Sequence, residues 1–136
     1  MNAMFIVQKW MTKDVITVLP HEKIIDAFEL MQGQGIRHLP VVENGDLKGL
    51  VTDRDIRLAL IPSPVSTPDD RMYHLGALEQ VEEIMTSDLI TVAPTATIEE
   101  AAKLMAQYKI GAVPVVAQGK LVGILTETDI LCVFIE

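Results

Sequence analysis

The sequence predicts an α+β protein built from two βαββα repeats related by approximate twofold symmetry. Three observations predict it. The 136-residue chain lies on itself when slid by 74 positions, and roughly 21 of the 48 residues from 11 to 58 are identical to their counterparts. Within each copy, short β-branched runs alternate with a helical spacing of apolar residues. The copies are separated by Ile61–Gly76, which carries Pro62, Pro64 and Pro68 among Ser63, Ser66 and Thr67 and so reads as an irregular linker.

The elements follow in order. Val15–Val18, closed by Pro20, suits a strand. Ile24, Ala27, Phe28 and Met31 fall on one helix face, and Ile98, Ala101, Ala102 and Met105 repeat the spacing. Thr97-Ile98-Glu99-Glu100 is a capping-box pattern that starts the second of these helices. Gly33-Gln34-Gly35 marks a helix stop rather than a phosphate loop. Leu39–Val42 is almost wholly apolar, as a buried strand would be, and Asn44-Gly45 then favours a tight hairpin turn. Leu47–Val51 runs back as the partner strand, where Gly49 predicts that another backbone or a ligand comes close. Pro40 and Pro114 are expected at strand openings, because proline has no N–H for a ladder bond. A helix is predicted from about Asp53 to Leu60. The final run Ile130–Ile135 is apolar around nearly the whole helix and expects burial on several sides, which a homodimer or a further domain would supply. The domain boundaries expected are 7–60 and 78–135, with 61–77 between them. One repeat is marginal as an independent core, so the pair is expected to share one. Met1–Ala3 stands outside this reading, with Met4 as the expected beginning.

Composition narrows the function. The net charge is −8, which disfavours a broad electrostatic grip on nucleic acid or on an anionic membrane. A hydrophobic fraction of 49% is too high for an acidic disordered chain. Cys132 is the single cysteine and cannot form an intramolecular disulfide, so a reducing, cytoplasmic location is expected. No apolar run approaches a membrane span, and no signal-peptide core precedes the first repeat. His21, His38 and His74 have no metal-ligand spacing. No nucleophile motif is recognisable, so no enzyme is expected. The charge is also uneven. Residues 1–62 hold seven basic against eight acidic side chains, and residues 63–136 hold four against eleven.

The repeated motifs are Met-Thr-x-Asp with Ile-Thr-Val-x-Pro, then Ile-x-x-(Leu/Val)-Pro-Val-Val, then Gly-x-Leu-x-Gly leading to Thr-x-x-Asp. Together they resemble the cystathionine-β-synthase (CBS) domain family, whose tandem pair is called a Bateman module. Ile-Arg-His-Leu-Pro-Val-Val and Thr-Asp-Arg-Asp look like small prokaryotic pairs, including acetoin-utilisation-type ones. The resemblance implies two βαββα units packed sheet to sheet, with two symmetry-related clefts. It also implies regulatory binding of an adenine nucleotide (AMP, ADP or ATP) or of another adenosyl compound such as S-adenosylmethionine. The regulated protein is not identified.

Carried over residue by residue, the resemblance implies that Asp55 and Asp129 accept the ribose hydroxyls, beside Thr52 and Thr126. An ionised carboxylate is an acceptor only, so it suits two hydroxyl donors. The alternative reading of Thr-x-x-Asp is a helix cap alone, and the two roles are compatible. The first cleft would combine Thr52 and Asp55 with Ile90 and Thr91, and the second would combine Thr126 and Asp129 with Ile16 and Thr17. Thr17 and Thr91 also read as ordinary β-branched strand residues. Pro40 and Pro114 would help wall the adenine. Arg37 and His38 would meet phosphate, or else are solvated at a helix-to-strand turn. Arg54 would join them or form a surface ion pair. In the second copy, Gly111, Ala112 and Thr128 replace these three residues, leaving Lys109 as the nearby cation. Two unequal clefts are therefore expected, with phosphate preferred beside Arg37 and Arg54. A structural or dimerisation module with vestigial clefts is the alternative.

Overall fold

A computed structural model describes residues 5–60 and 79–135 of the chain. The expected linker at 61–77, His74 and the start of the second predicted domain at residue 78 lie outside the described residues. In chain order the elements are α1 (Val7–Trp10), α2 (Ile24–Gln34), β1 (His38–Glu43), β2 (Asp46–Thr52), α3 (Asp53–Leu60), a 3-10 turn at Val81–Glu83, α4 (Ile98–Tyr108), β3 (Ala112–Ala117), β4 (Lys120–Thr126) and α5 (Glu127–Ile135). They fall into two compact units. One is Ile16–Leu89, and the other joins Met1–Val15 to Ile90–Glu136.

In the unit Ile16–Leu89, β1 and β2 form an antiparallel hairpin joined through Asn44 (φ 55°) and Gly45 (φ 83°). Both residues are left-handed, which is the turn that the Asn-Gly pair favours. The register slips between Val41 and Val42, so Lys48 is an extra residue on β2 and the hairpin bends there. Helix α2 buries Ile24, Ala27 and Met31 against this hairpin. It ends at Gly35, whose φ of 64° closes the last turn through an N–H bond to the Met31 carbonyl. Leu39, Val41, Val51 and Ile56 are fully buried, and the core is completed by Val81, which comes from the segment preceding the second repeat.

That segment docks by backbone. The Val81 and Glu82 N–H groups, at the start of the 3-10 turn, donate to the Glu22 and Pro20 carbonyls at 2.8 and 3.0 Å. Four residues on, Thr86 and Leu50 exchange both backbone bonds, at 2.9 and 3.0 Å. Gly49 permits the approach. A Cβ built there would lie 2.5 Å from the Met85 sulfur and 2.9 Å from the Thr86 carbonyl oxygen. The close backbone expected at Gly49 is thus the Met-Thr motif itself.

The other unit repeats each contact at the same spacing. β3 and β4 pair with the same slip, between Val115 and Val116, and turn through Gln118 (φ 52°) and Gly119 (φ 80°). Gln118 adopts the left-handed conformation that Asn44 takes in the first hairpin. Helix α4 buries Ile98, Ala101 and Met105, and Thr97 caps it by accepting the Glu100 N–H at 3.0 Å, as its capping-box pattern predicts. Val7 completes this core, and α1 donates from Val7 and Gln8 to the Ala96 and Pro94 carbonyls. Thr12 pairs with Ile124, and Met11 covers Gly123.

Three expectations are corrected. Val15–Val18 is not a ladder strand: only Val18 pairs, in a single parallel bridge to Val41, and Val92 does the same with Val115. Pro40 and Pro114 are the third residues of β1 and β3, not the first. These two facts share a cause. Val18 donates to the Pro40 carbonyl, so Pro40's nitrogen faces that same outer edge. The next rung would need a Pro40 N–H to reach Ile16, and proline has none. The third correction concerns the core expected to be shared: each unit has its own buried cluster, around Leu39 and Val41 in one and Val113 and Val115 in the other. Helix α5, whose apolar run expects burial by a second copy or a further domain, has no buried residue. Leu131, Phe134 and Ile135 are 61%, 82% and 82% exposed. Among the described residues no helix is long and apolar enough to cross a membrane.

The glycine contacts give a direct test. Gly49→Ala should destabilise by about 1–3 kcal/mol through overpacking against Met85 and the Thr86 carbonyl. Gly33→Ala, inside α2 with nothing within 4 Å of its added Cβ, should instead stabilise by roughly 0.5–1 kcal/mol. Urea unfolding of the two variants, with opposite signs expected, checks the assignment.

Candidate functional site

The candidate residues of the first repeat gather at one end of the β1–β2 hairpin. The register sets His38, at the start of β1, opposite Thr52, at the end of β2. Helix α3 begins at the next residue, and the Asp53 N–H donates to the Arg37 carbonyl at 3.0 Å. Strand end, strand start and helix N-terminus therefore meet within a few residues. The extended segment Ile16-Thr17 runs beside this end, because Val18 is bridged to Val41 in parallel.

Thr52 and Asp55 form a reciprocal cap. The Asp55 N–H donates to Thr52 Oγ1 at 3.1 Å, and the Thr52 N–H donates to Asp55 Oδ2 at 3.0 Å. Thr126 and Asp129 do the same at 3.2 and 2.9 Å. The capping reading of Thr-x-x-Asp is therefore correct in both repeats. It also leaves chemistry to spare, because Oδ1 of each aspartate has no hydrogen bond among the described residues. Both carboxylates are half-buried at a helix N-terminus, and each spare carboxylate oxygen is a hydrogen-bond acceptor.

Proline supplies the second feature. Since Pro40 and Pro114 end the parallel pairing, the backbone of Ile16 and Thr17, and of Ile90 and Thr91, enters no backbone hydrogen bond among the described residues. Ile16 and Ile90 are half-buried, and Thr17 and Thr91 are exposed. Ile90 and Thr91 belong to the unit of Thr126 and Asp129, and Ile16 and Thr17 to that of Thr52 and Asp55.

The cations are distributed as the repeat alignment requires. Gly111 takes the place of Arg37, accepting the Glu127 N–H at 3.0 Å, and Ala112 takes the place of His38, opposite Thr126. Arg54 is exposed on the first turn of α3. The Arg37 side chain lines a groove between α2 and α3 together with Asp53 and Arg57. Lys109 is the left-handed C-cap of α4 (φ 55°), a role that Gly35 fills in the first repeat. Sequence reasoning missed Val7 and Val81, which complete the two cores. Their spacing of 74 was the available signal, four residues before the aligned block begins. Among the described residues no group of His, Cys, Asp or Glu could hold a metal ion.

The CBS domain family model matches residues 7–62 and 81–136. The CBS domain-containing protein YhcV of Bacillus subtilis is 38% identical over 124 residues, covering 91% of this chain and 81% of that protein. An inosine-5'-monophosphate dehydrogenase of Korarchaeum cryptofilum is 40% identical over 124 residues, of which this chain spans only 23% of the length. Among solved structures, the CBS domain pair of protein MJ0100 in complex with 5'-methylthioadenosine and S-adenosyl-L-methionine superposes with a TM-score of 0.79. It is 31% identical, with coverage of 95% of this chain and 94% of that one. CBSX2 in complex with AMP gives a TM-score of 0.80 at 28% identity, with 96% of each chain covered.

The cap geometry predicts a graded stability series. Thr52→Ala and Thr126→Ala should each cost about 1 kcal/mol, the usual loss on removing a helix cap. Asp55→Asn, which keeps an oxygen for the Thr52 N–H, should cost less than Asp55→Ala. Thermal and urea unfolding of the four variants checks the order.

Proposed function

The chain belongs to the CBS domain family, and on that premise we propose that it is a regulatory module that binds an adenosyl ligand and performs no chemistry on it. The observation that carries the reading is the divided use of Asp55 and Asp129. One carboxylate oxygen holds the helix cap, and the other accepts no hydrogen bond among the described residues. A ribose presents two hydroxyl donors, which an anionic acceptor fixed at a helix N-terminus is suited to receive. Thr52 and Thr126 hold the carboxylates in place. The unpaired backbone at Ile16-Thr17 and at Ile90-Thr91 offers the donors and acceptors that an adenine edge needs, with Pro40 and Pro114 beside them. The bound adenosyl compounds of MJ0100 and CBSX2 support this ligand class.

The two repeats are proposed to differ in ligand. Arg37, His38 and Arg54 favour a phosphorylated adenosine such as AMP, ADP or ATP at Thr52 and Asp55. Gly111, Ala112 and Thr128 leave Lys109 as the cation near Thr126 and Asp129, which suits a less anionic compound such as S-adenosylmethionine.

Calorimetry with AMP, ATP and S-adenosylmethionine tests both statements. Asp55→Asn turns the outward acceptor into a donor while leaving the cap, and should weaken AMP by the 1.5–3 kcal/mol typical of hydrogen bonds to a charged group, about 10- to 150-fold. Arg54→Ala should weaken AMP and ATP and leave S-adenosylmethionine unchanged. Saturating ligand, at 100 times its Kd, should raise the unfolding free energy by roughly 2.7 kcal/mol. No stabilisation by any of the three compounds would favour a structural module with vestigial clefts.

A homodimer is the partner proposed for α5. Leu131, Phe134 and Ile135 place three large apolar side chains in solvent on one short helix, and a second copy offers the same apolar surface. Sedimentation across a concentration series should show a dimer for the native chain. Leu131→Glu with Phe134→Glu should shift it to monomer while the far-ultraviolet spectrum is retained.

A further inference from the structure

Apart from Arg37 on its rim, the groove between α2 and α3 is not used by the adenosyl reading. Its volume is about 310 Å³, within the range of small-molecule sites. Its lining is mixed: Phe28, Ile36 and the nearly buried Met31 contribute apolar surface beside Gln32 and Gly35, and Arg37 and Arg57 stand with Asp53. The Arg57 Nε lies 3.8 Å from Asp53 Oδ2, beyond hydrogen-bond distance, and both guanidinium groups therefore keep donors to offer. Two cations face one anion, which leaves the rim one positive charge in excess.

The second repeat serves as an internal control. Met31 and Ile36 recur there as Met105 and Ile110, so those two positions serve the shared core. Phe28, Arg37 and Arg57 become Ala102, Gly111 and Leu131. The fold is built without them in one repeat, so folding alone does not account for them in the other. The same three positions supply the groove's aromatic side chain and both of its cations.

We propose that this groove is a second, separate ligand site that takes a small organic monoanion, a carboxylate carried on an apolar or aromatic body. The body lies on Phe28, Met31 and Ile36, and the carboxylate meets the Arg57 and Arg37 forks, a geometry that guanidinium groups match in two parallel bonds. The single excess charge favours a monoanion over a multiply charged phosphate. The proposal does not rest on the adenosyl reading. Arg37 is common to both, and Arg57, one turn further along α3, belongs only to this one.

The test is a titration of the full, isotope-labelled chain with 3-phenylpropionate and with its neutral amide, followed by amide and guanidinium shifts. Saturable shifts are expected at Gln32, Gly35, Arg37 and Arg57 with a midpoint in the millimolar range, and the amide should bind about tenfold more weakly. Arg57→Gln should weaken the acid by a similar factor. Phe28→Ala should weaken the acid and the amide together. Non-saturating shifts, equal binding of acid and amide, or an unaffected Arg57→Gln variant with native-like dispersion would each overturn the proposal. So would shifts confined to Thr52 and Asp55. Each result is read without reference to whether AMP binds.

Discussion

The backbone exchange between a Met-Thr segment and a glycine-bearing strand is the contact on which the rest of each unit depends. Thr86 pairs with Leu50 and Thr12 with Ile124, in each case beside a glycine whose missing side chain makes room for a methionine. The pairing fixes the segment that precedes it. Five residues upstream, Val81 or Val7 is pressed into a core as a fully buried side chain, and the N–H groups of its short helical turn find the carbonyls of Pro20 and Glu22 or of Pro94 and Ala96. Those carbonyls lie just before α2 or α4, so the same contact sets where the long helix begins. Without it, orphan N–H groups and an empty core position would appear together. Each core therefore takes one of its fully buried valines from the segment that leads into the other repeat.

Proline positions then decide what the site has to work with. A strand at Val15–Val18 would have paired its backbone along β1 and offered only side chains. With Pro40 third in β1, and Pro114 third in β3, the pairing stops after one bridge. The residues just before the bridge enter no backbone hydrogen bond among the described residues, so their polar backbone is unspent there. The aspartates follow the same economy. A glutamate three residues after the threonine would also close a capping box. The shorter aspartate keeps its carboxylate close to the helix end while it caps with one oxygen. In both features, a group that stabilises the fold stops short of consuming the chemistry beside it.

Much of this was legible in the sequence, and the exceptions have physical reasons. The helices α2 and α4 follow from apolar spacing, the Asn44-Gly45 turn from its left-handed preference, and the Thr97 cap from its hydroxyl, because each depends on neighbours within a few residues. Gly49 announced a close approach for the same kind of local reason. What the sequence could not say is which chain segment arrives there. A repeat is detected as self-similarity, and self-similarity is silent on whether a leading segment packs on its own copy or on the other. The strand at 15–18 was overcalled because β-branched residues report a preference for extended backbone, not a partner. The prolines were assigned to strand ends on the rule that they lack a donor; the rule also allows an edge-facing third position, which is where they stand. For α5, an apolar run around nearly the whole helix called for cover from outside the repeat, and its exposed Leu131, Phe134 and Ile135 agree with that reading.

The repeat also separates residues needed for folding from residues free to do something else. Positions that hold the units together, such as Val41, Gly49, Thr52, Asp55 and Met31, have the same residue in both copies, and their hydrogen bonds and burial match one for one. Four of the differences fall at the rim: Arg37 against Gly111, His38 against Ala112, Arg54 against Thr128 and Arg57 against Leu131. Three of these replace an arginine by an uncharged residue, so they supply half of the six-charge difference between a near-neutral first half and an acidic second half. A carbonyl at position 37 or 111 caps the following helix equally well, because the bond uses the backbone and ignores the side chain. The fold therefore sets the place of the cations without requiring them, and a basic rim can be kept or lost in one repeat at little cost to its core. Half of the charge difference between the two halves here resolves into three arginines, all within one turn of α3 or the turn before β1.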